Sequence, residues 1–348
     1  MRRFRAIATC LIVCGAATRS LAQPFSIEPS WRISLGSGEI RTVAFSPGTA
    51  CVGIATDSTV VVVSAAGQRL WAWDYKRANR LIRARDLAVN KSCDTVAFTG
   101  DSDYKFVWLA RKNGTRTPIA LKSTPSKVAF GVDTPFLAVA TALPAVYGFS
   151  LQGDAQWTSK GDQESAPTRS LQDRKALSRI NPFSWFDTIS LSDDLRTEVR
   201  AGEPNHGPGH GWVRMARGDG ASWSKTVECQ SALVSHDGSW VVIRGQILPD
   251  DTPDGRGGCD DMSLTVIGVD GRVAHTWRAP TGALLGVSAD DKHFVLQQQN
   301  VTEGLALDGT VAWSISTPHQ DVIVSRDGRV LVSKETHGSS VALYRLPK

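Results

Sequence analysis

The chain contains 348 residues, of which 41% are hydrophobic and 21% are charged, with 31 Gly, 16 Pro, 11 Trp and 6 Cys. This length can bury a large core, and the balance of apolar, charged and Gly/Pro residues excludes a collagen, a coiled coil and an intrinsically disordered chain. The formal net charge is +5 at pH 7. What this charge indicates about binding partners depends on which part of the chain carries it.

The first 22 residues have the pattern of a secretory signal peptide. Three arginines within the first five residues precede an apolar stretch over residues 6–17, and a small-x-small site ends at Ala22. The apolar stretch is too short to span a bilayer. We therefore predict cleavage after Ala22 and a single mature domain over residues 23–348, secreted or periplasmic and without a transmembrane span. A twin-arginine signal and a lipid anchor at Cys14 are the alternatives.

The positive charge belongs largely to that leader. It carries four of the 39 basic residues, so the net charge of the mature chain falls to about +1. No run of five or six like charges remains in the mature sequence. Nucleic acid is therefore not an expected partner, and we expect a soluble monomer.

The mature chain repeats one short pattern seven times. Each copy is an apolar-alternating tetrad followed by a turn and a second apolar run, which is typical of two antiparallel strands joined by a tight turn. The tetrads occupy residues 43–46, 87–90, 128–131, 189–192, 232–235, 285–288 and 322–325. Spacings near 40 residues, lengthened by insertions, are typical of four-stranded propeller blades.

A second repeat follows the first at a fixed place. After a third predicted strand, a glycine-led turn reaches a tryptophan in five copies: Gly67 to Trp71, Gly153 to Trp157, Gly220 to Trp223, Gly271 to Trp277 and Gly309 to Trp313. A tryptophan at the same point of successive sheets is expected to fill the layer between them. We therefore interpret these side chains as structural.

The last repeat ends one strand short of four. Residues 30–35, just after the leader, have the pattern of the missing outer strand. An N-terminal strand that completes the C-terminal blade would remove exposed sheet edges. The mature length gives about 47 residues for each of seven blades, near the known repeat lengths. The predicted fold is thus all-β, a seven-bladed β-propeller closed by its N-terminal strand.

The repeats resemble two propeller families. The Val-Ala-Phe-Ser-Pro-Gly segment at residues 43–48 resembles WD-repeat blades, and an apolar strand followed by glycine and tryptophan is similar to the repeat of quinoproteins of the pyrroloquinoline quinone type. The resemblance covers nearly all of residues 25–348. It implies propeller architecture and no particular activity.

Four cysteines remain in the mature chain, an even number typical of an oxidising compartment. Cys51 and Cys93 stand at the start of the second strand in neighbouring predicted blades, hence on one face. Cys229 precedes the first strand of the fifth blade and Cys259 lies in a long loop of that blade, and these loop types emerge on the opposite face. We predict the bridges Cys51–Cys93 and Cys229–Cys259, with four free thiols as the alternative.

Three segments exceed the minimal repeat, namely residues 158–184, 202–211 and 248–261. In the predicted ring they belong to adjacent blades three to five and open on one face. Insertions clustered on one side of a repeat fold often mark its working surface, although surface decoration is the alternative. The candidate partner-binding residues are Arg169, Arg174, Arg179, His206, His210 and Trp212.

Residues with metal or catalytic chemistry are few. Aspartates crowd the glycine-rich loop of the fifth blade at Asp250, Asp251, Asp254, Asp260 and Asp261. Oxygen ligands on such a turn can hold calcium, and solvated carboxylates are the other interpretation. The consecutive residues Ser235, His236 and Asp237 at a strand end cannot converge on one substrate atom, so they do not indicate a hydrolytic triad. We expect no other cofactor.

Three classes of function fit this pattern. The one we favour is an exported, non-catalytic propeller that holds another exported or envelope protein through the loops of blades three to five. The second is an enzyme of the hydrolase or lyase type, whose axial site would combine residues from several blades. The third is a quinone-binding protein, which only the tryptophan repeat suggests.

Overall fold

The computed structural model describes residues 25–36, 38–75, 84–100, 105–141, 145–159, 188–194, 196–202, 211–248, 263–278, 282–318 and 320–347. Within these ranges the chain forms 28 β-strands, a 3-10 turn at Pro47–Thr49 and no α-helix. The prediction of an all-β protein is confirmed. In the same ranges no helix is long and apolar enough to cross a membrane, and the predicted signal peptide lies outside them.

The strands form six sheets, named A to F here. The chain begins with two short strands, β1 (Phe25–Ser26) and β2 (Trp31–Ser34). Sheet A contains β3 (Ile40–Phe45), β4 (Cys51–Thr56), β5 (Thr59–Ser64) and β6 (Arg69–Asp74). Sheet B contains β7 (Asp86–Val89), β8 (Thr95–Thr99), β9 (Phe106–Arg111) and β10 (Arg116–Ala120). Sheet C contains β11 (Pro125–Phe130), β12 (Phe136–Thr141), β13 (Val146–Ser150) and β14 (Ala155–Ser159).

The second part of the chain forms the other three sheets. Sheet D contains β15 (Thr188–Leu191), β16 (Thr197–Gly202), β17 (Gly211–Arg217), β18 (Ser222–Val234), β19 (Trp240–Ile247), β20 (Ser263–Gly268) and β21 (Val273–Arg278). Sheet E contains β22 (Ala283–Val287), β23 (His293–Gln297), β24 (Val301–Ala306) and β25 (Val311–Ser316), with β1 at its edge. Sheet F contains β26 (Gln320–Val324), β27 (Val330–Glu335), β28 (Ser340–Arg345) and β2. Within each sheet, strands that follow one another in the chain pair antiparallel.

Sheet D differs from the four-stranded units that the repeats predict, because β18 serves both of its halves. The first part of β18, up to Val227, pairs with β17, and the part from Val227 onward pairs with β19 across a register shift after Glu228. The second part also lies beside β15, where the Val234 N–H donates to the Ser190 hydroxyl (3.1 Å). The second part of β18 therefore lies near β15. The first part of β18 is the fourth strand of one group in sheet D, and the second part is the first strand of the next group.

Strands from the two ends of the described chain meet in sheet F. Strand β2 pairs antiparallel with β28, with Trp31 opposite Leu343. The prediction that the N-terminal strand completes the last repeat is confirmed. Strand β1 was not predicted, and it pairs in parallel with the outer strand of sheet E, with Phe25 opposite Trp313.

The core lies between consecutive sheets. Strands β4, β8 and β12 are buried along their whole length, so both faces of their sheets are covered. Apolar clusters join A with B, B with C, the two halves of D, D with E and E with F. A further cluster joins the first sheet with the last, through Ile40 and Val52 of A and Val332 and Leu343 of F.

The tryptophans bridge neighbouring sheets. The Trp71 indole N–H donates to the Cys93 carbonyl of sheet B (2.7 Å), and that of Trp31 donates to the Ala65 carbonyl of sheet A (3.2 Å). Gly67, with φ +80°, lies against Trp31 so closely that a Cβ there would be 2.7 Å from the indole Cγ. The indoles therefore fill the layer between sheets, as the repeat predicts.

A disulfide joins Cys51, the first residue of β4, to Cys93 in the turn between β7 and β8, with 6.1 Å between the Cα atoms. This predicted bridge is confirmed, and it links sheets A and B. The second predicted bridge, Cys229–Cys259, lies outside the residues whose side chains the structure describes.

Removing the disulfide should lower stability substantially. The bridge closes a loop across a sequence separation of 42, and the loss of loop entropy in the unfolded chain corresponds to about 4 kcal/mol. We expect Cys51→Ala/Cys93→Ala to unfold at lower guanidinium concentration than the parent, and added reductant to move only the parent's midpoint. Equal midpoints for parent and variant would contradict the bridge.

A matched pair of glycines tests the docking of Trp31. Gly67 and Gly114 both have left-handed φ in the turn between third and fourth strands, but a Cβ at Gly114 meets nothing within 4 Å. Gly114→Ala should cost about 1–2 kcal/mol from backbone strain alone. Gly67→Ala should cost roughly 1–3 kcal/mol more, because the methyl group displaces the indole. Chemical denaturation measures the difference, which vanishes if β2 does not dock on sheet A.

Candidate functional site

In six of the seven repeats, the last residue of the tetrad holds the turn between the first and second strands; the third tetrad ends in Gly131, which has no side chain to do so. The side-chain oxygen of that residue accepts a hydrogen bond from the N–H five positions later. The six bonds run to Ser46 from Cys51, to Asn90 from Thr95, to Ser192 from Thr197, to Ser235 from Trp240, to Ser288 from His293 and to Ser325 from Val330 (2.9–3.1 Å). Such local bonds stabilise a turn at the expense of continued strand.

Most of these turns carry a second bond. In four of them the serine hydroxyl donates to an aspartate two positions later: Ser192 to Asp194, Ser235 to Asp237, Ser288 to Asp290 and Ser325 to Asp327 (2.5–2.7 Å). The Ser192 hydroxyl and the Arg196 N–H keep the pKa of Asp194 below its usual range, with the Arg196 N–H making the larger contribution. The repeated Ser-x-Asp pattern is thus a turn clamp.

A cavity of about 580 Å³ lies where the first strands of several sheets approach one another. Strands β3, β7, β11 and β26 contribute most of its wall. Asp193, which follows β15 directly after Ser192, also lines the cavity. Its charged lining residues are Asp86, Lys127, Asp193, Arg326 and Asp327. A concave site with a few convergent polar groups is the usual place for a ligand.

Asp86 and Lys127 lie together on the cavity wall, at the start of β7 and directly before the tetrad in β11. Asp86 Oδ2 accepts the Val128 N–H (2.8 Å), and Oδ1 lies 3.5 Å from the Lys127 ammonium. The Asp86 side chain is 19% exposed and that of Lys127 is 58% exposed. Burial raises the pKa of Asp86, while Lys127 and the Val128 N–H act in the opposite direction. The pair therefore ties sheet B to sheet C.

His236 joins the clamped turns of three neighbouring repeats. Its Nδ1 lies 3.6 Å from Asp193 Oδ1, and its Nε2 lies 3.4 Å from the Val287 carbonyl oxygen. The N–H groups of His236 and Asp237 both donate to the Asp291 carboxylate (2.6 and 3.0 Å). Both ring nitrogens thus face acceptors, and only the protonated ring can donate to both.

The Asp193 carboxylate raises the pKa of His236 above its ordinary value. Burial of the ring acts against this effect, and the charge on Asp291 adds to it. Since Asp193 also lines the cavity, the protonation of His236 is coupled to the position of a cavity residue.

Most of the predicted site residues lie outside the described residues. These are Arg169, Arg174, Arg179, His206 and His210 among the partner-binding candidates, and Asp250, Asp251, Asp254, Asp260 and Asp261 of the calcium candidate. Trp212 is described: it is the second residue of β17, half-buried, with the Arg214 guanidinium 4.7 Å from its ring centroid. Among the described residues no group of three His, Cys, Asp or Glu side chains could hold a metal ion.

Sequence reasoning missed the cavity residues. Asp86 and Lys127 each stand directly before a tetrad. The alternating pattern predicts where a strand lies, but it does not predict which polar side chains line a cavity. The sequence places His236 in a turn, and its link to Asp193 and Asp291 joins residues 43 and 55 positions apart, which only the adjacency of turns brings together. A search for polar residues at equivalent repeat positions would have found Asp86.

The comparisons with known proteins do not extend this description: neither a protein-family model nor a curated protein sequence matches the chain. The resemblance to WD and quinoprotein repeats therefore remains a prediction from the sequence.

The His236 link predicts a dependence of stability on pH. Because the folded-state pKa of His236 is raised, its contribution is fully present below its ordinary pKa, about 6.5, and is lost as pH rises through the raised value. We expect the free energy of unfolding to fall over this window by less than about 1 kcal/mol, since Asp193 is 62% exposed.

His236→Gln and Asp193→Asn should each flatten this pH profile, measured by urea unfolding between pH 5.5 and 8.5. Asp194→Asn is the control, because Asp194 contacts Ser192 and Arg196 instead of the imidazole. A profile with the same slope in parent and His236→Gln would exclude the coupling.

Proposed function

We propose that the protein is an exported seven-bladed β-propeller that binds another exported or envelope protein without catalysing a reaction. The architecture is supported by the strand pairing. Sheets A, B, C, E and F each contain one repeat, and sheet D contains two that share β18. The clamped turns of these two repeats lie side by side, since the Asp193 N–H donates to the His236 carbonyl (2.5 Å). Seven groups of four strands result.

Export is supported by the predicted signal peptide and by the disulfide. A Cys51–Cys93 bridge between two sheets is typical of proteins that fold in an oxidising compartment.

The observation that carries a binding role over catalysis is the use that the fold makes of the charged cavity residues. Asp86 accepts the Val128 N–H, Asp327 accepts the Ser325 hydroxyl, and Asp193 pairs with His236. Each carboxylate fixes a strand or a turn of the scaffold. Contacts of this kind show these carboxylates serving the scaffold, which supports a structural role for them.

The insertions provide the surface for a partner. Strands β16 and β19 each start at a clamped turn, so the insertions that follow them, 202–211 and 248–261, leave from the opposite end of sheet D. Insertion 158–184 leads into β15, which ends at a clamped turn, so it enters from that same opposite end. Their attachment points support one working face, and Trp212, at the start of β17, lies beside one of them.

Shortening the first insertion tests this proposal. A mature chain in which residues 163–180 are replaced by a short Gly/Ser linker should lose at least nine-tenths of the partner that the parent captures from the native exported fraction, because the removed residues include Arg169, Arg174 and Arg179. Quantitative mass spectrometry of captured proteins measures the loss.

The matched control changes Lys112 and Asn113, which lie in the β9–β10 turn at the clamped end of sheet B, to Ser. This control should capture the partner as the parent does. Equal capture by the parent and the loop variant would refute the chosen face, and unfolding midpoints of all three proteins show whether the scaffold is intact.

A further inference from the structure

Sheet D presents a charged face where the other repeats present a buried one. In the second strand of a repeat, the second and fourth residues point towards the preceding sheet, as the shared apolar clusters show. At the fourth position the other six repeats have residues that are each at most 1% exposed, namely Ile54, Phe98, Val139, Ile243, Leu296 and Ser333. The repeat that starts at β15 has Arg200 there, with a side chain that is 53% exposed, and Glu198 at the second position.

The charged face continues onto the next two strands. Arg214 of β17 lies opposite Arg200, and Ser224 of β18 lies opposite Arg214. Side chains at opposite positions of an antiparallel pair lie on the same face, and both Arg214 and Ser224 are exposed. Trp212, two residues before Arg214, lies on this face as well. We name Glu198, Arg200, Trp212, Arg214 and Ser224 the arginine face.

The arginine face has no apolar counterpart among the described residues. Every other pair of consecutive repeats shares an apolar cluster within the described ranges. The cluster on the side of sheet C away from sheet B contains residues of sheet C alone, namely Ala129, Phe136, Ala138, Ala140, Val146 and Trp157. Since a sheet face normally becomes buried by packing on its neighbour, the arginine face is a surface rather than a packing interface between described strands.

The two arginines of this face repel each other. Like charges at directly opposite positions of an antiparallel pair are destabilising. Glu198 pairs with Arg200, but no described carboxylate pairs with Arg214. The Arg214 guanidinium instead lies 4.7 Å from the centroid of the Trp212 ring. An anion bound between the two guanidinium groups would remove the repulsion, so the face favours a negatively charged ligand.

Carboxylates suit this face better than a polyanion does. A guanidinium group offers parallel N–H donors that match the two oxygens of a carboxylate. The half-buried Trp212 ring offers an apolar contact beside them. Two arginines and one glutamate leave a net charge of +1 on the face (2 − 1). Nucleic acid needs a broader basic surface, whereas a few carboxylates on a peptide match this charge.

We propose that the arginine face binds an acidic segment of the exported partner protein, with carboxylates at Arg200 and Arg214 and an adjacent side chain on Trp212. The binding of such a segment rests on the proposed function, because the segment belongs to the proposed partner. The face also lies at the proposed binding surface, since β16 ends and β17 begins on either side of insertion 202–211.

A peptide titration tests the arginine face directly. The mature protein is labelled with ¹⁵N at tryptophan, and the indole signal of Trp212 is assigned with Trp212→Phe. The probe is an N-acetylated, C-amidated decapeptide of alternating Glu and Ser, and the comparison peptide has Gln in place of Glu. We expect the Trp212 signal to shift with the acidic peptide at about 20 mM salt, and to shift less at about 300 mM salt because of screening. The Gln peptide should leave the signal unchanged.

Removing either arginine should weaken this binding. Arg200→Gln and Arg214→Gln should each raise the dissociation constant of the acidic peptide roughly three- to tenfold, since each removes a charge-assisted hydrogen bond. Arg272→Gln is the matched control, because it removes the same charge from the same sheet at a side chain that is 89% exposed in the β20–β21 turn. Its binding should equal the parent's, and unfolding midpoints check that every variant is folded.

The proposal is overturned if the Trp212 signal of the parent does not shift at millimolar acidic peptide, or if the Gln peptide binds equally. It is overturned as well if folded Arg200→Gln and Arg214→Gln both bind as the parent does. Vesicles of phosphatidylglycerol that shift the signal when the acidic peptide does not would indicate a lipid surface as the ligand, which also contradicts the proposal.

Partner capture separates the acidic segment from the proposed function. If the parent and the double variant Arg200→Gln/Arg214→Gln capture a partner equally, and the variant with the shortened insertion does not, the acidic segment is refuted and the protein-binding role stands. If the parent captures no partner but the peptide titration behaves as expected, the protein-binding role fails and the arginine face remains a site for acidic peptides.

Discussion

The fold depends on sheets that are covered on both faces. A sheet with one apolar face needs a single partner, but β4, β8 and β12 are buried on both sides, so their sheets need a neighbour on each side. A row of such sheets always leaves two uncovered faces at its ends. Here the faces of sheets A and F cover each other through Ile40, Val52, Val332 and Leu343. This contact covers a face on each of these two sheets that a linear stack would leave open.

This constraint explains why β2, from the N-terminal part of the described chain, pairs where it does. The outer strand of sheet F comes from β2, and Trp31 on that strand reaches across to Ala65 and Gly67 of sheet A. One residue thus links the start of the chain, its end and the first complete sheet. The Cys51–Cys93 bridge adds a covalent link at the next interface. The Trp31 indole thus links sheet F with sheet A, and the disulfide links sheet A with sheet B.

The sequence predicts those parts of the fold that depend on local periodicity. The alternating tetrads located β3, β7, β11 and their equivalents, and the glycine-tryptophan spacing located the outer strands, because both patterns lie within a few consecutive residues. The continuity of β18 was not predictable, since the residues between Val227 and Ser231 carry no turn signal and their pairing depends on β17 and β19 together. The parallel strand β1 is too short for any periodicity to appear.

The candidate site was much less predictable, for a physical reason. Its charged residues, Asp86, Lys127 and Asp193, come from three different repeats. Asp86 and Lys127 stand beside tetrads whose apolar alternation locates strands and says nothing of which polar side chains converge. Their convergence becomes visible only when strand order shows which first strands lie side by side. The same reasoning explains why His236, prominent in the sequence, stabilises turns: its partners Asp193 and Asp291 become neighbours only when successive repeats place equivalent turns side by side.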